Sequence, residues 1–189
     1  MCGRYQFSVE QPDLRALWQQ AAERFPNVKM EAGEIFPTNI VPVLVGEGSA
    51  VAPQPAKWGF PNFKGSGVII NARSETAHEK RMFRNSLIAK RCVVPTSGFF
   101  EWSHDADKQK YLFRAPQSEV LYLAGLYQDF EGERRFVILT ESANASMRDI
   151  HDRMPVILQA GELTDWVFDN NKTFGLLQRT GPTLDKKEE

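Results

Sequence analysis

Cys2 has the most distinctive chemical prospects in this chain. Methionine aminopeptidases trim Met1 when the second residue is small, and cysteine qualifies. Trimming leaves an α-amine and a thiol on one residue. The amine condenses with an aldehyde to an imine, and the thiol then adds to the imine carbon and closes a five-membered thiazolidine. An internal cysteine cannot do this, because its nitrogen is an amide. The free amine titrates near about 7.7–8.0 and the free thiol near about 8.5, so both nucleophiles are expected to be partly available near neutral pH. By position alone, Cys2 reads more readily as an incidental residue beside a frayed terminus.

Three further polar residues sit where chemistry is often placed. Asn71 follows the apolar run Val68-Ile69-Ile70, at the end of an expected strand. It, or Ser74, could also simply cap a helix. Glu101 lies among aromatic rings in Gly98-Phe99-Phe100-Glu101-Trp102. Burial there would raise its pKa and suit it to acid–base work, whereas an outward position on an alternating strand would leave it ordinary. Trp102 reads as either a core ring or a base-stacking platform. His151, in Ile150-His151-Asp152-Arg153-Met154-Pro155, is either a proton donor or a partner for a helix C-terminus. His78 and His104 read as solvated surface.

The elements that must carry these groups can be sketched from pattern. Pro12 and Asp13 open a helix over 12–25, with Leu14, Leu17, Trp18, Ala21 and Ala22 on one face and Pro26 as its stop. Short β-branched runs at 40–45 and 68–70 read as strands. Residues 74–90 have a helical pattern anchored by Ala77, Phe83, Leu87 and Ile88. From residue 91 the chain reads as β-rich, with strands at 92–94, 98–102, 110–114, 120–127, 135–140 and 156–158. Turns are expected at 104–107, 115–118 and 131–133. Ser142 is expected to cap a short helix over 142–150, and 162–168 reads as one or two helical turns. The pattern points to an α+β fold: a single domain with a mainly antiparallel curved sheet or open barrel and flanking helices. The domain is placed at residues 1–175, with 176–189 as a mobile C-terminal tail.

The 189 residues include 23 Lys plus Arg and 24 Asp plus Glu, a net charge of -1. Any contact with nucleic acid must therefore gather positive charge on one face, over few phosphates. No stretch is long and apolar enough to span a membrane, and the first residues do not form a signal peptide. Cys2 and Cys92 lack metal-ligand spacing, so neither a metal nor a cofactor is expected. Free thiols suit a reducing, cytoplasmic location, nucleoid-associated in a bacterium.

Taken together, the segments resemble the SOS-response-associated peptidase (SRAP) family. The resemblance is carried by Met1-Cys2-Gly3-Arg4, Trp58-Gly59-Phe60-Pro61, Asn71-Ala72-Arg73-Ser74-Glu75-Thr76 and Phe83-Arg84. It continues through Arg91-Cys92-Val93-Val94-Pro95, the Glu101 segment, Ala124-Gly125-Leu126, Ile138-Leu139-Thr140 and the stretch from Ile150 to Leu158. It implies a protein that shields abasic sites in single-stranded DNA through a covalent thiazolidine at Cys2, with links to the DNA damage and SOS responses. It implies Cys2, Asn71, Glu101 and His151 as the active site. Arg4 and Arg73 would hold phosphates, and Trp102, Trp58, Pro37 and Thr140 would line the DNA channel. Phe100 stands where the family often has Tyr, and the segment from Phe60 to Val68 is shorter than usual. A monomer is expected, with no membrane or metal partner.

This reading makes Glu101 the acid–base group for opening the abasic sugar and for proton transfers at the amine, with His151 protonating the sugar oxygen or stabilising the opened hydroxyl and Asn71 orienting the amine or the lesion. The intermediate Schiff base could also lead to strand cleavage as a lyase. The reading requires Cys2 to lie beside the other three residues and open to solvent. One rival is a thiol peptidase or autopeptidase using Cys2, His151 and Asn71. Another is a non-catalytic single-strand binding module built on Trp58, Trp102 and the arginines.

Overall fold

Apolar alternation becomes strand wherever both faces can be covered, and this chain does so repeatedly. A computed structural model describes residues 2–104 and 108–189. Most of the turn expected at 104–107 lies outside the described residues, as does Met1. The chain begins with β1 (Arg4–Phe7), α1 (Pro12–Arg24), β2 (Gly33–Ile35), β3 (Ile40–Glu47) and β4 (Ala50–Trp58). Then come β5 (Phe60–Pro61), β6 (Val68–Ile69), β7 (Asn71–Arg73), α2 (Arg84–Ala89), β8 (Arg91–Thr96) and β9 (Gly98–Trp102). The second half holds β10 (Lys110–Arg114), β11 (Leu121–Phe130), β12 (Glu133–Ser142), β13 (Arg153–Pro155) and β14 (Ile157–Leu158). A 3-10 turn leads into α3 (Leu163–Phe168), followed by α4 (Asn170–Gln178) and β15 (Asp185–Glu188).

Five strands close on themselves. β4 pairs with β3, β3 with β8, β8 with β11 and β11 with β12, all antiparallel. β12 then returns to β4 in parallel through Arg135–Lys57 and Phe136–Trp58. The ring is therefore a closed mixed barrel, not an open one. β7 and β13 extend it from β12, and β14 extends it from β11. A second, antiparallel sheet runs in the order β15, β10, β9, β1, β2. The α+β expectation holds.

Barrel residues alternate between two cores. Val43, Val45, Cys92, Val94, Leu123, Phe136 and Ile138 join Tyr5, Phe7 and Phe99 of the second sheet. Leu44, Val93, Ala124, Val137 and Leu139 pack instead with Leu87 of α2 and Trp166 of α3. Arg91, itself buried, fastens those two helices. Its guanidinium donates to the carbonyls of Leu87 and Ile88 at 2.7 and 2.8 Å, to the Val167 carbonyl at 3.1 Å, and to the Trp166 carbonyl. Helix-end carbonyls that lack intrahelical partners are satisfied this way.

Three expectations need correction. Residues 74–83 form turns, and only Arg84–Ala89 is helical within 74–90. Ala77 and Leu87 are buried as expected, but Ile88 is 60% exposed. Residues 142–150 are also non-helical. There Ser142 is the last residue of β12, opposite Arg153, and Asn144 organises the turn by accepting from the Ser146 N–H at 3.0 Å. Finally, Asp185–Glu188 is a strand on β10, with Leu184 buried just before it, rather than a mobile tail.

Candidate active site

β1 lies between β2 and β9, and its first residues run toward the barrel edge at β7. There the Asn71 amide Nδ2 donates to the main-chain carbonyl of Cys2 at 3.0 Å. The Asn71 Oδ1 atom is buried and has no hydrogen-bond partner among the described residues. β7 is held in place by its parallel pairing to β12, which sets Asn71 opposite Ile138 and Arg73 opposite Thr140.

Cys2 is only 1% exposed in the chain that carries Met1. Its thiol donates to the Arg4 carbonyl at 3.6 Å. Burial pushes the thiol well above its ordinary pKa, and the nearby Glu101 carboxylate adds to the shift. The expectation of a partly ionised, open thiol is therefore not met in this form. The sulfur stands here as neutral S–H, and its reaction with a carbon centre needs a base.

Glu101 faces inward. β9 sets it opposite Tyr111, on the same sheet face as Phe99, and it is 4% exposed. Burial raises its pKa, against a smaller lowering influence from its surroundings that includes His104. A carboxyl group whose pKa is raised by burial is better suited to acid–base work than one in water. The His104 ring lies 4.9 Å from the His151 ring, so this histidine, though exposed, borders the site. Burial lowers the His151 pKa, keeping its ring neutral near pH 7. Its Nδ1 lies 3.0 Å from both the Arg153 main-chain nitrogen and the Asp152 carboxylate.

Arg153 is a supporting residue that sequence reasoning missed. It is buried, and its guanidinium grips the Glu75 carboxylate through two bonds of 2.6 and 2.8 Å. A third bond reaches the Thr140 carbonyl at 2.6 Å. This anchors the segment that carries His151 to β12. Asn71 bonds to Cys2 rather than to His151, so it does not orient the imidazole as a Cys-His-Asn peptidase relay requires.

The expected DNA-lining residues divide. Arg4 is half-buried, with its guanidinium 4.8 Å from the Trp102 ring centre and 3.1 Å from Glu34 Oε1. Arg73 is exposed beside Asn71, and Pro37 is half-buried in the turn after exposed Phe36. Two others cannot touch a ligand. Trp58 is 0% exposed, packs with Tyr5 and Phe136, and donates from Nε1 to the Ile70 carbonyl at 3.1 Å. Thr140 is likewise fully buried, its carbonyl bonded by Arg153 and Ser74. Both positions serve the core.

Among the described residues no group of three or more His, Cys, Asp or Glu could hold a metal ion. No helix among them is long and apolar enough to cross a membrane.

The family profile described as SOS response associated peptidase (SRAP) matches residues 1–186. This chain belongs to the SRAP family. Among SRAP relatives, it is 33% identical over 196 residues to the abasic site processing protein YoqW of Bacillus subtilis, covering 94% of this chain and 85% of that protein. It is 28% identical over 179 residues to the abasic site processing protein YedK of Escherichia coli, covering 88% and 79% respectively. The SRAP fold also appears in a solved protein from Bacteroides thetaiotaomicron, with a TM-score of 0.79 at 24% identity over 99% of this chain and 91% of that one.

Proposed function

We propose that this SRAP protein processes abasic sites in single-stranded DNA by forming a covalent thiazolidine through Cys2 once Met1 is removed. The observation that carries the proposal is the seating of Cys2: its carbonyl is held by Asn71, and its thiol lies within the field of the buried Glu101 carboxylate. The abasic-site processing named for the relatives above supports the same substrate.

An abasic deoxyribose is mostly a closed hemiacetal. Glu101 takes the proton of the anomeric hydroxyl and returns it to the ring oxygen as the C–O bond breaks, while His151 stabilises the opened hydroxyl, which frees the aldehyde. The Cys2 amine attacks the aldehyde carbon and water departs, leaving an imine. The thiol sulfur adds to the imine carbon, and its proton reaches the imine nitrogen by way of Glu101. One water is lost overall. Closure removes the Schiff base that would otherwise drive β-elimination and strand cleavage. The orphan Asn71 Oδ1 is an acceptor suited to an N–H of the new amine. That amine, protonated, would also draw the buried thiol's pKa back down. Single strands are preferred because unstacking at the lesion costs less without a partner strand.

Intact-mass spectrometry tests this directly. The trimmed protein mixed with an abasic oligonucleotide should gain the oligonucleotide mass less one water, and Cys2→Ala should not form a stable adduct. A heat-stable adduct from Cys2→Ala would refute the thiazolidine.

A further inference from the structure

Directly opposed residues on paired strands share a face. Arg4 opposes Phe100, Lys110 opposes Trp102, and Glu34 opposes Gln6, which shares the face of Arg4. Arg4, Phe100, Trp102, Lys110 and Glu34 therefore lie on one side of the second sheet. Tyr5, Phe99 and Glu101 lie on the other.

Two cations on this face converge on one carboxylate. Arg4 Nη1 donates to Glu34 Oε1 at 3.1 Å, and Lys110 Nζ donates to both Glu34 oxygens at 3.0 and 3.1 Å. These bonds outweigh the burial that would otherwise raise the Glu34 pKa, and hold it below the ordinary carboxylate value. The cations also rest on aromatic rings. The Arg4 guanidinium is 4.7 Å from the Phe36 ring centre, and Lys110 Nζ is 3.9 Å from that of Phe100. Phe36 is 42% exposed. Its turn is fixed by the Asn39 side chain, which accepts the Phe36 N–H at 2.8 Å, and by a left-handed Thr38 with φ of 75°. Strain of this kind persists only where the surroundings impose it.

We propose that Glu34 is a resident stand-in for a DNA phosphate. A backbone phosphate takes over Arg4 and Lys110, and Phe36 offers a ring to the adjoining base. A phosphate diester carries the same single charge and the same acceptor geometry as the carboxylate it replaces. The cations are aimed in advance, and Glu34 keeps affinity for undamaged strands low. The inference rests on the abasic single-strand reading but adds Lys110, Phe36 and a restraining carboxylate to it.

The test uses full-length protein carrying Cys2→Ala, so that binding is read without adduct formation. Fluorescence anisotropy follows an intact single-stranded oligonucleotide across a salt series. Adding Glu34→Gln should tighten binding roughly three- to tenfold at low salt. It should also steepen the salt dependence by about 0.7 for each cation released. Lys110→Gln should weaken binding, and the double variant should lose the gain. Thermal melts check that each variant is folded. Unchanged or weaker binding by folded Glu34→Gln overturns the proposal, as does undiminished binding by Lys110→Gln or the absence of measurable binding by any variant. Adduct formation by the unaltered Cys2 protein is scored separately, so failure of the thiazolidine reading remains distinguishable.

Discussion

Asn71 and Cys2 stand 69 residues apart in sequence, yet one hydrogen bond of 3.0 Å joins the side-chain amide of the first to the carbonyl of the second. The contact ties the barrel edge to the strand that begins the second sheet. It fixes where the nitrogen of Cys2 can go. Asn71→Ala should slow adduct formation by about two- to tenfold, the kinetic equivalent of one hydrogen bond worth about 0.5–1.5 kcal/mol. Asn71→Asp should slow it more, because a carboxylate would face the Cys2 carbonyl. Single-turnover crosslinking kinetics check both; equal rates for all three proteins would remove Asn71 from the site.

A residue left ahead of Cys2 should abolish the adduct while sparing strand binding. With a residue ahead of it, the Cys2 nitrogen is an amide and cannot form the imine. A fusion that leaves one extra residue, compared with trimmed protein on a denaturing gel, decides the point. A stable adduct from the extended form would show that the free amine is not needed.

Glu101→Gln should slow crosslinking by roughly 10²–10⁴-fold and yet raise the melting temperature at pH 7. Burial lifts the folded-state pKa of Glu101. Its contribution to stability is therefore fully present below the unfolded value, about 4.3, and is lost as pH rises through the folded value. The gap in melting temperature between variant and parent should widen as pH rises from about 4.3. A gap that does not change with pH would mean that Glu101 ionises as it does in water.

Trp58→Ala should destabilise the fold by about 3–5 kcal/mol, because it empties a fully buried site between Tyr5 and Phe136. The more conservative Trp58→Phe should fold and bind single strands like the parent. Chemical denaturation and anisotropy separate the two effects. Weakened binding by a stable Trp58→Phe would return this ring to the DNA surface.

Arg73→Ala should weaken strand binding and flatten its salt dependence by about 0.7, the value for one phosphate contact. Arg73 is exposed beside Asn71. An unchanged salt slope would place the strand elsewhere.

Much of the second half was legible from pattern. β9 and β10 match their expected bounds, because alternating or aromatic-rich runs between turn residues have few other uses. β4 was hidden by Pro53 and Pro55. Its neighbours show why it tolerates them: it pairs with β3 from Ala50 to Lys57 but meets β12 only at Lys57 and Trp58, so the proline-bearing half is an edge. β15 was hidden by charge, which is also what an edge strand uses to stay unpaired with strangers. Residues 74–90 and 142–150 carry helix-like spacing, but tertiary contacts through Glu75 and Asn144 bend them into turns. The four candidate site positions were legible as residue types. Arg153 and Glu34 were not, since a paired charge looks like any surface charge until its partner is placed.

Glu101 and Trp102 are neighbours in β9, but their side chains leave the sheet in opposite directions. The acid belongs to the interior compartment and the indole to the face that holds Arg4. Inserting a single residue into β9 ahead of them would trade their destinations, pushing the carboxylate outside and the indole inside. The buried carboxylate and the indole beside Arg4 are thus locked to one strand register, and neither can be shifted along β9 without the other.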